Sequence, residues 1–375
     1  MAIAQFYGNT LILSSTTVDC TNDGSDKKSN TSIDNASSSL LKTTGSDMLS
    51  NKTSQESSQN EDGIIDSDGV DCRSFLEDFR NGKIEEMERI PGWEKSFVTR
   101  TITPKPFYWS THKSELDAAR ATSYQKGMYY EKQLSARIQE VFDAKDAEGK
   151  ESIFLDVGGN IGWFSLLAAA HGATKVYTFE PNPANVVRIC ESLSLNNWLR
   201  DDRSKDLVVP IAKGVGSEAA TLKLHIVQEG NPGSYSFSKN RGKGSVGEID
   251  IVTLDDFAER HGWFESKPSI GFFKLDVEGY EPPILQGAKK LFKSRIVEMF
   301  GMEMKGETGK KDRRAMLEVV LNSGYDLYRH GFATGPRAIV EKKYESYEDL
   351  AVDIEAGMYG DNLLFRKREE WVSTE

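Results

Sequence analysis

Between Ile153 and Pro183 the chain reads IFLDVGGNIGWFSLLAAA and, a few residues later, VYTFEPNP. An apolar run ends around Asp156, a glycine-rich turn follows at Gly158, Gly159 and Gly162, a helical run begins at once, and a second apolar run ends in Glu180. Short unbroken apolar runs are the mark of parallel strands buried on both faces, and two parallel strands need a crossover between them. The pattern therefore predicts a βαβ unit whose ligand crevice opens at the carboxyl ends of the strands. This unit restricts the chain to an α/β fold and places its first candidate site.

The glycine spacing narrows the ligand. A dinucleotide site wants glycines at i, i+2 and i+5, so that backbone approaches a pyrophosphate at the helix start. Counted from Gly158, the later positions hold Asn160 and Trp163; counted from Gly159, they hold Ile161 and Phe164. The residues fit D-x-G-x-N-x-G instead. A carboxylate at Asp156 would repel a pyrophosphate, but it suits a ligand with an ammonium group and a sulfonium centre, which describes S-adenosyl-L-methionine. On this reading Asp156 takes the ammonium group, and the loop of Gly158, Gly159, Asn160 and Gly162 offers backbone to the ligand's carboxylate. Glu180, with Asn182 beside it, accepts from the ribose hydroxyls. A nicotinamide-dependent oxidoreductase or epimerase and a non-catalytic cofactor-binding scaffold are the competing readings.

A third segment, FFKLDVEGYEPPILQGAKKLF from Phe272 to Phe292, is another apolar strand that ends in acids, Asp276 and Glu278. A helix follows, with Pro282 and Pro283 tolerated in its first turn and one apolar face. A further strand from Ile296 to Met302 delivers Glu303 to the same edge. Asp276 is the first candidate for a catalytic base, with Glu278 and Glu303 as seconds; the three acids also offer oxygen ligands of the kind a divalent ion takes.

Together DVGGNIG, FEPNP, DIVTLDDF (Asp250 to Phe257) and KLDVEGYE resemble the FkbM-type methyltransferase family, over about Tyr129 to Lys367. The resemblance implies a Rossmann-like, seven-stranded, doubly wound sheet of the class I methyltransferases. The strands beginning at Tyr325 and Asn362 would form its antiparallel edge. It also implies methylation of a hydroxyl on a sugar, glycan or polyketide-like small molecule.

The remaining chain is organised around this domain, expected over 151–370. Residues 1–72 are dominated by Ser, Thr, Asn, Asp and Gly without periodicity, and are expected to be a disordered tail. Residues 73–150 regain aromatic content and are expected to form a helical cap or lid, with helices over 113–125 and 127–145. Between Gln228 and Glu248 a loop rich in Gly, Ser and basic residues suggests substrate contacts at Ser234, Tyr235 and Lys239. The net charge of −11 disfavours a nucleic-acid partner. No run approaches the roughly 18 apolar residues of a membrane span. His225, His261 and His330 show no metal spacing. Three scattered cysteines, Cys20, Cys72 and Cys190, give no disulfide framework and suit a reducing compartment such as the cytoplasm, whereas sequons at Asn30, Asn35 and Asn51 point to a lumen.

Overall fold

The computed structural model describes residues 68–81, 96–112, 129–227, 233, 235–237, 244–303, 310–330, 341–355 and 362–370. The tail expected over 1–72 lies almost wholly outside these residues, as does the helix expected over 113–125. Chain order begins with α1 (Cys72–Arg80), the strands β1 (Ser96–Arg100) and β2 (Tyr108–His112), and α2 (Lys132–Ala147). The βαβ unit follows as β3 (Ile153–Val157), α3 (Trp163–Ala170) and β4 (Lys175–Phe179), then α4 (Pro183–Leu195) and β5 (Val208–Ile211). Next come β6 (Gly214–Val215), β7 (Ala220–Ile226), β8 (Tyr235–Ser236), β9 (Ser245–Val252), α5 (Leu254–Arg260) and α6 (Trp263–Ser266). After β10 (Ile270–Leu275) lie α7 (Glu281–Gln286), α8 (Lys289–Lys293), β11 (Met299–Glu303) and α9 (Lys310–Leu321). The last elements are β12 (Tyr325–His330), β13 (Glu341–Tyr344), α10 (Tyr347–Glu355) and β14 (Asn362–Lys367).

The main sheet runs β13-β12-β14-β11-β10-β3-β4-β5. Its pairs from β11 to β5 are parallel, and β14, β12 and β13 add an antiparallel edge. Strand order reverses between β3 and β10, the switch point at which a crevice opens beyond the strand tips. The strands expected from Ile153, Val176, Phe272, Ile296, Tyr325 and Asn362 are all in this sheet. The eighth, β13, is a correction to the seven-stranded expectation: its sequence, EKKY, has no apolar alternation to betray it, and such charge is how sheet edges resist further pairing.

Burial follows the apolar runs. In β10 every residue is buried, and in β3 all but Ile153 are. Phe154, Leu155, Phe272, Phe273 and Leu275 contribute side chains to both faces of the sheet, each worth roughly 1.5–3 kcal/mol when fully removed from water. A separate four-stranded sheet, β6-β9-β7-β8, stands beyond the tip of β5.

Two further expectations are corrected. The region before the βαβ unit is not a pair of helices alone: α2 is present, but residues 96–112 form a β-hairpin, β1 against β2. Val98, Tyr108 and Trp109 are β-formers, and the hairpin is fixed to α4 by Ser110 N donating to Ser192 Oγ (2.9 Å) and Tyr108 N donating to Asn196 Oδ1 (2.8 Å). The cysteines are not all free either. Cys72 and Cys190, 118 residues apart, form a disulfide between α1 and α4. Spacing could not show this, because the fold, not the sequence, brings α1 onto α4. The bond belongs to the chemistry of oxidising compartments, so the cysteines no longer argue for a reducing one. Among the described residues no helix is long and apolar enough to cross a membrane.

Cys190→Ser is expected to lower stability by about 2–4 kcal/mol, read as a drop in melting temperature that a thiol reductant reproduces in the wild-type chain. Identical melting with and without reductant would contradict the bond.

Candidate functional site

The site is built at the tips of β3, β4 and β10. After β3 the chain enters a left-handed turn at Gly158 (φ +82°), and a Cβ there would lie 1.8 Å from the Asp276 carbonyl oxygen. Only glycine allows this approach of loop to neighbouring strand. The turn is held by Gly158 N and Gly159 N, both donating to Phe179 O (3.0 and 2.9 Å). Asn160 is also left-handed (φ 50°), a conformation that asparagine tolerates better than most residues. Its N–H is thereby turned toward β4.

It meets Glu180 there. The Glu180 carboxylate is buried; Oε2 accepts from Asn160 N (2.7 Å), and Oε1 accepts from Asn182 N (2.9 Å) and Asn185 Nδ2 (3.2 Å). Of about four lone-pair sites on a carboxylate, three are taken, which leaves one on Oε2 for an incoming donor. Burial pushes the Glu180 pKa up to about 7, against the pull of those three donors and of the Lys274 charge.

Lys274 ties β10 to the loop. Its buried Nζ donates to Gly158 O (2.8 Å) and pairs with Asp156 Oδ1 (3.3 Å) and Asp276 Oδ2 (4.0 Å). Burial disfavours its charge, yet the carboxylates of Asp156, Asp276 and Glu131 prevail and hold its pKa above the ordinary lysine value. Beyond β10, Glu278 is left-handed (φ 57°), a conformation costing roughly 1–2 kcal/mol. The buried Glu281 carboxylate steadies that turn by accepting from Gly279 N (3.0 Å) and Val277 N (3.4 Å); burial pushes its pKa up to about 7.

These tips enclose a cavity of about 660 Å³, walled by Gly158, Asn160, Glu180, Asn185, Asp276 and Glu278 and by the apolar side chains of Phe179, Val215, Leu224 and Ile284. The small sheet closes it with Tyr235, Ser236 and Phe237, and Lys213 reaches its rim while paired to Asp68 (2.7 Å). A second compartment of about 310 Å³ lies against the glycine loop, lined by Trp109, Tyr130, Trp163, Phe164 and Lys274. Tyr130, Gly158, Asn160 and Asp276 border both.

The expected site residues are divided by this geometry. Gly158, Asn160, Glu180, Asp276 and Glu278 converge on the larger cavity, and Gly159 lines the smaller one. Asp156 does not reach either. It is fully buried, with Oδ2 accepting from Ser165 Oγ (2.7 Å), and its ammonium partner is the chain's own Lys274. Asn182 is likewise buried as the N-cap of α4, its Oδ1 accepting from Ala184 N (3.1 Å). Gly162 caps the start of α3. Glu303 ends β11, opposite Asn362, and is not among the residues lining either compartment. Of the expected loop contacts, Tyr235 lines the cavity, with burial pushing its pKa up to about 12, while Ser234 and Lys239 lie outside the described residues. No group of three or more His, Cys, Asp or Glu among the described residues could hold a metal ion. The sequence reading missed Lys274, Glu281, Asn185 and Lys213. Lys274 alone carried a signal, as a charged residue inside an otherwise apolar strand.

Residues 156–327 match the family described as the methyltransferase FkbM domain. No curated protein matches the chain. Among solved structures, it is similar to methyltransferase FkbM from Methylobacillus flagellatus KT, at 14% identity and a TM-score of 0.35, over 57% of this chain and 43% of that one. It is also similar to a SAM-dependent methyltransferase from Agrobacterium tumefaciens, at 9% identity and a TM-score of 0.35, over 73% of this chain and 70% of that one. The chain thus spans less than half of the first of these proteins.

Lys274→Met leaves Asp156 buried without its counter-charge and is expected to cost about 3–5 kcal/mol, measured by chemical denaturation. Glu180 and Glu281 bind protons more tightly folded than unfolded. Their contribution to stability is therefore full below about pH 4.5, the ordinary glutamate value, and is lost as pH rises through about 7. Melting of the ligand-free protein from pH 5 to 8 should show this decline, and it should be shallower in Glu281→Gln.

Proposed function

With a methyltransferase domain of the FkbM type at residues 156–327, we propose that this protein transfers the methyl group of S-adenosyl-L-methionine to a hydroxyl on a sugar, glycan or polyketide-like small molecule. The observation that carries the reading is the placement of two carboxylates, Glu180 and Asp276, on one cavity from the strands on either side of the glycine loop. The cavity's donor set and walls fit the cofactor. Glu180 keeps one lone-pair site for a ribose hydroxyl, Gly158 and Asn160 bring the loop to the cavity wall, and Phe179, Val215, Leu224 and Ile284 offer apolar surface to a purine. Asp156 and Asn182 act behind this surface, by holding Lys274 and the start of α4.

Bound there, the cofactor supplies an electrophilic methyl on a sulfonium, and its thioether leaves without needing a proton. The chain's own contribution is alignment, which is worth roughly 7–11 kcal/mol where the reacting atoms are well oriented, and removal of the acceptor's proton. Asp276 is the base in this reading. It borders both compartments, and its Oδ2 lies 4.0 Å from the Lys274 ammonium group. Glu278, on the strained turn that follows, is second to it. Glu303 has no such position. Tyr235, Tyr280 and Lys213 close the cavity on the side of the small sheet, where a polyhydroxylated acceptor would find hydrogen-bonding groups.

Calorimetry on the full chain is expected to detect S-adenosyl-L-methionine and its demethylated product. Binding of reduced nicotinamide cofactor in place of both would overturn the reading. With labelled cofactor and a panel of glycans, glycolipids and polyketides, assayed with and without chelator, Asp276→Asn should lower turnover by about 10²- to 10⁴-fold while leaving cofactor affinity intact. Because Glu180 accepts from hydroxyls best when ionised, affinity for the cofactor should rise as pH passes through about 7, and Glu180→Gln should bind more weakly with a flat profile.

A further inference from the structure

We propose that His112, on the hairpin outside the matched domain, is a positioning residue for the cofactor-binding carboxylate, acting through Asn185 on Glu180. This rests on the reading of Glu180 as a ribose ligand.

The geometry is a short relay. His112 is buried at the end of β2, and its Nε2 lies 2.8 Å from Asn185 Oδ1. Asn185 sits in the first turn of α4 and lines the cavity, and its Nδ2 donates to Glu180 Oε1 (3.2 Å). A carboxylate can only accept when ionised, so the amide must present its NH₂ to Glu180 and its oxygen to the histidine. His112 must then donate from Nε2. A neutral ring with its proton on Nε2 does this, and the surroundings keep the ring neutral: burial, together with the nearby Arg188 charge, lowers its pKa to about 4.

Glu180 calls for the NH₂ group on one side, and the His112 donor holds the amide oxygen on the other, so the two ends of the relay favour the same orientation. Flipped, Asn185 would turn its oxygen on the Glu180 carboxylate and repel it. The histidine therefore reinforces, from a distance, the donor that Glu180 finds at Asn185. The anchoring is firm, because β2 is itself held to α4 by Ser110 N on Ser192 Oγ, and Ser110 Oγ donates to Glu191 Oε2 (2.6 Å), which also pairs with the buried Arg188 (2.7 Å).

The test measures cofactor affinity by calorimetry on the full chain, beside melting temperature. His112→Leu is expected to weaken S-adenosyl-L-methionine binding about tenfold, the equivalent of one lost hydrogen bond, with turnover at saturating cofactor unchanged. His112→Gln, whose amide nitrogen can stand where Nε2 stands, should restore most of the affinity. In a Glu180→Gln background, His112→Leu should have no further effect on binding, since the two act on one contact. Asn185→Leu, which removes the intermediary, should reproduce the loss, and it carries the test should His112→Leu fail to fold. Affinity within twofold of wild type in the folded His112→Leu or Asn185→Leu chains, or a loss that persists in the Glu180→Gln background, would overturn the relay. A wild-type chain that does not bind the cofactor would overturn the underlying reading instead.

Discussion

A single buried ammonium group, that of Lys274, holds the centre of this protein together. It sits where β3 and β10 part at the switch point, and three groups from different elements meet on it: the Asp156 carboxylate, the Gly158 carbonyl and the Asp276 carboxylate. An unpaired charge at such depth would be prohibitive, and so would the Asp156 carboxylate alone. Together they cancel, and in doing so they set the distance between the glycine loop and the strand that bears the proposed base. A lysine in mid-strand thus converts two neighbouring strand tips into one rigid rim.

Around that rim, two other buried carboxylates use their oxygens on backbone. Glu180 gathers the N–H groups of Asn160 and Asn182, and Glu281 gathers those of Gly279 and Val277. Each stabilises a turn containing a non-glycine residue in the left-handed region, Asn160 in one and Glu278 in the other. The strain is local, and the hydrogen bonds that offset it come from side chains already committed to the site. The two carboxylates differ in one respect: Glu180 faces the cavity with a lone pair to spare, whereas Glu281 does not line it.

Much of this was legible in the sequence, and the reasons differ from one element to the next. The strands β3, β4, β10 and β11 announced themselves because strands buried on both faces must be apolar throughout. The tips followed, since acids and glycines end those runs, and Gly158, Asn160, Glu180, Asp276 and Glu278 do converge. Asp156 misled for a physical reason: an acid beside a glycine loop looks the same whether its cation is a ligand or a lysine 118 positions later in the chain. Asn182 looked like a contact and is a helix cap. The hairpin of residues 96–112 was hidden because its strands are short and its buried residues are mixed, with polar Ser110, Thr111 and His112 buried next to Trp109 in one strand. The Cys72–Cys190 bond and the His112 relay depend on packing across α4, and local pattern carries no trace of that.

The order of the edge strands has a consequence for how the chain assembles. β14 lies between β11 and β12, so β12 and β13 reach the parallel part of the sheet only through a strand that comes after both of them. As the polypeptide emerges, β11 must wait with one side unpaired, and the β12–β13 hairpin must wait apart from it, until residues 362–367 slot between them. The matched domain ends at residue 327, inside β12. A fragment cut there would keep the whole glycine loop and all three acids, yet it would leave β11 as a bare apolar edge open to pairing with another copy.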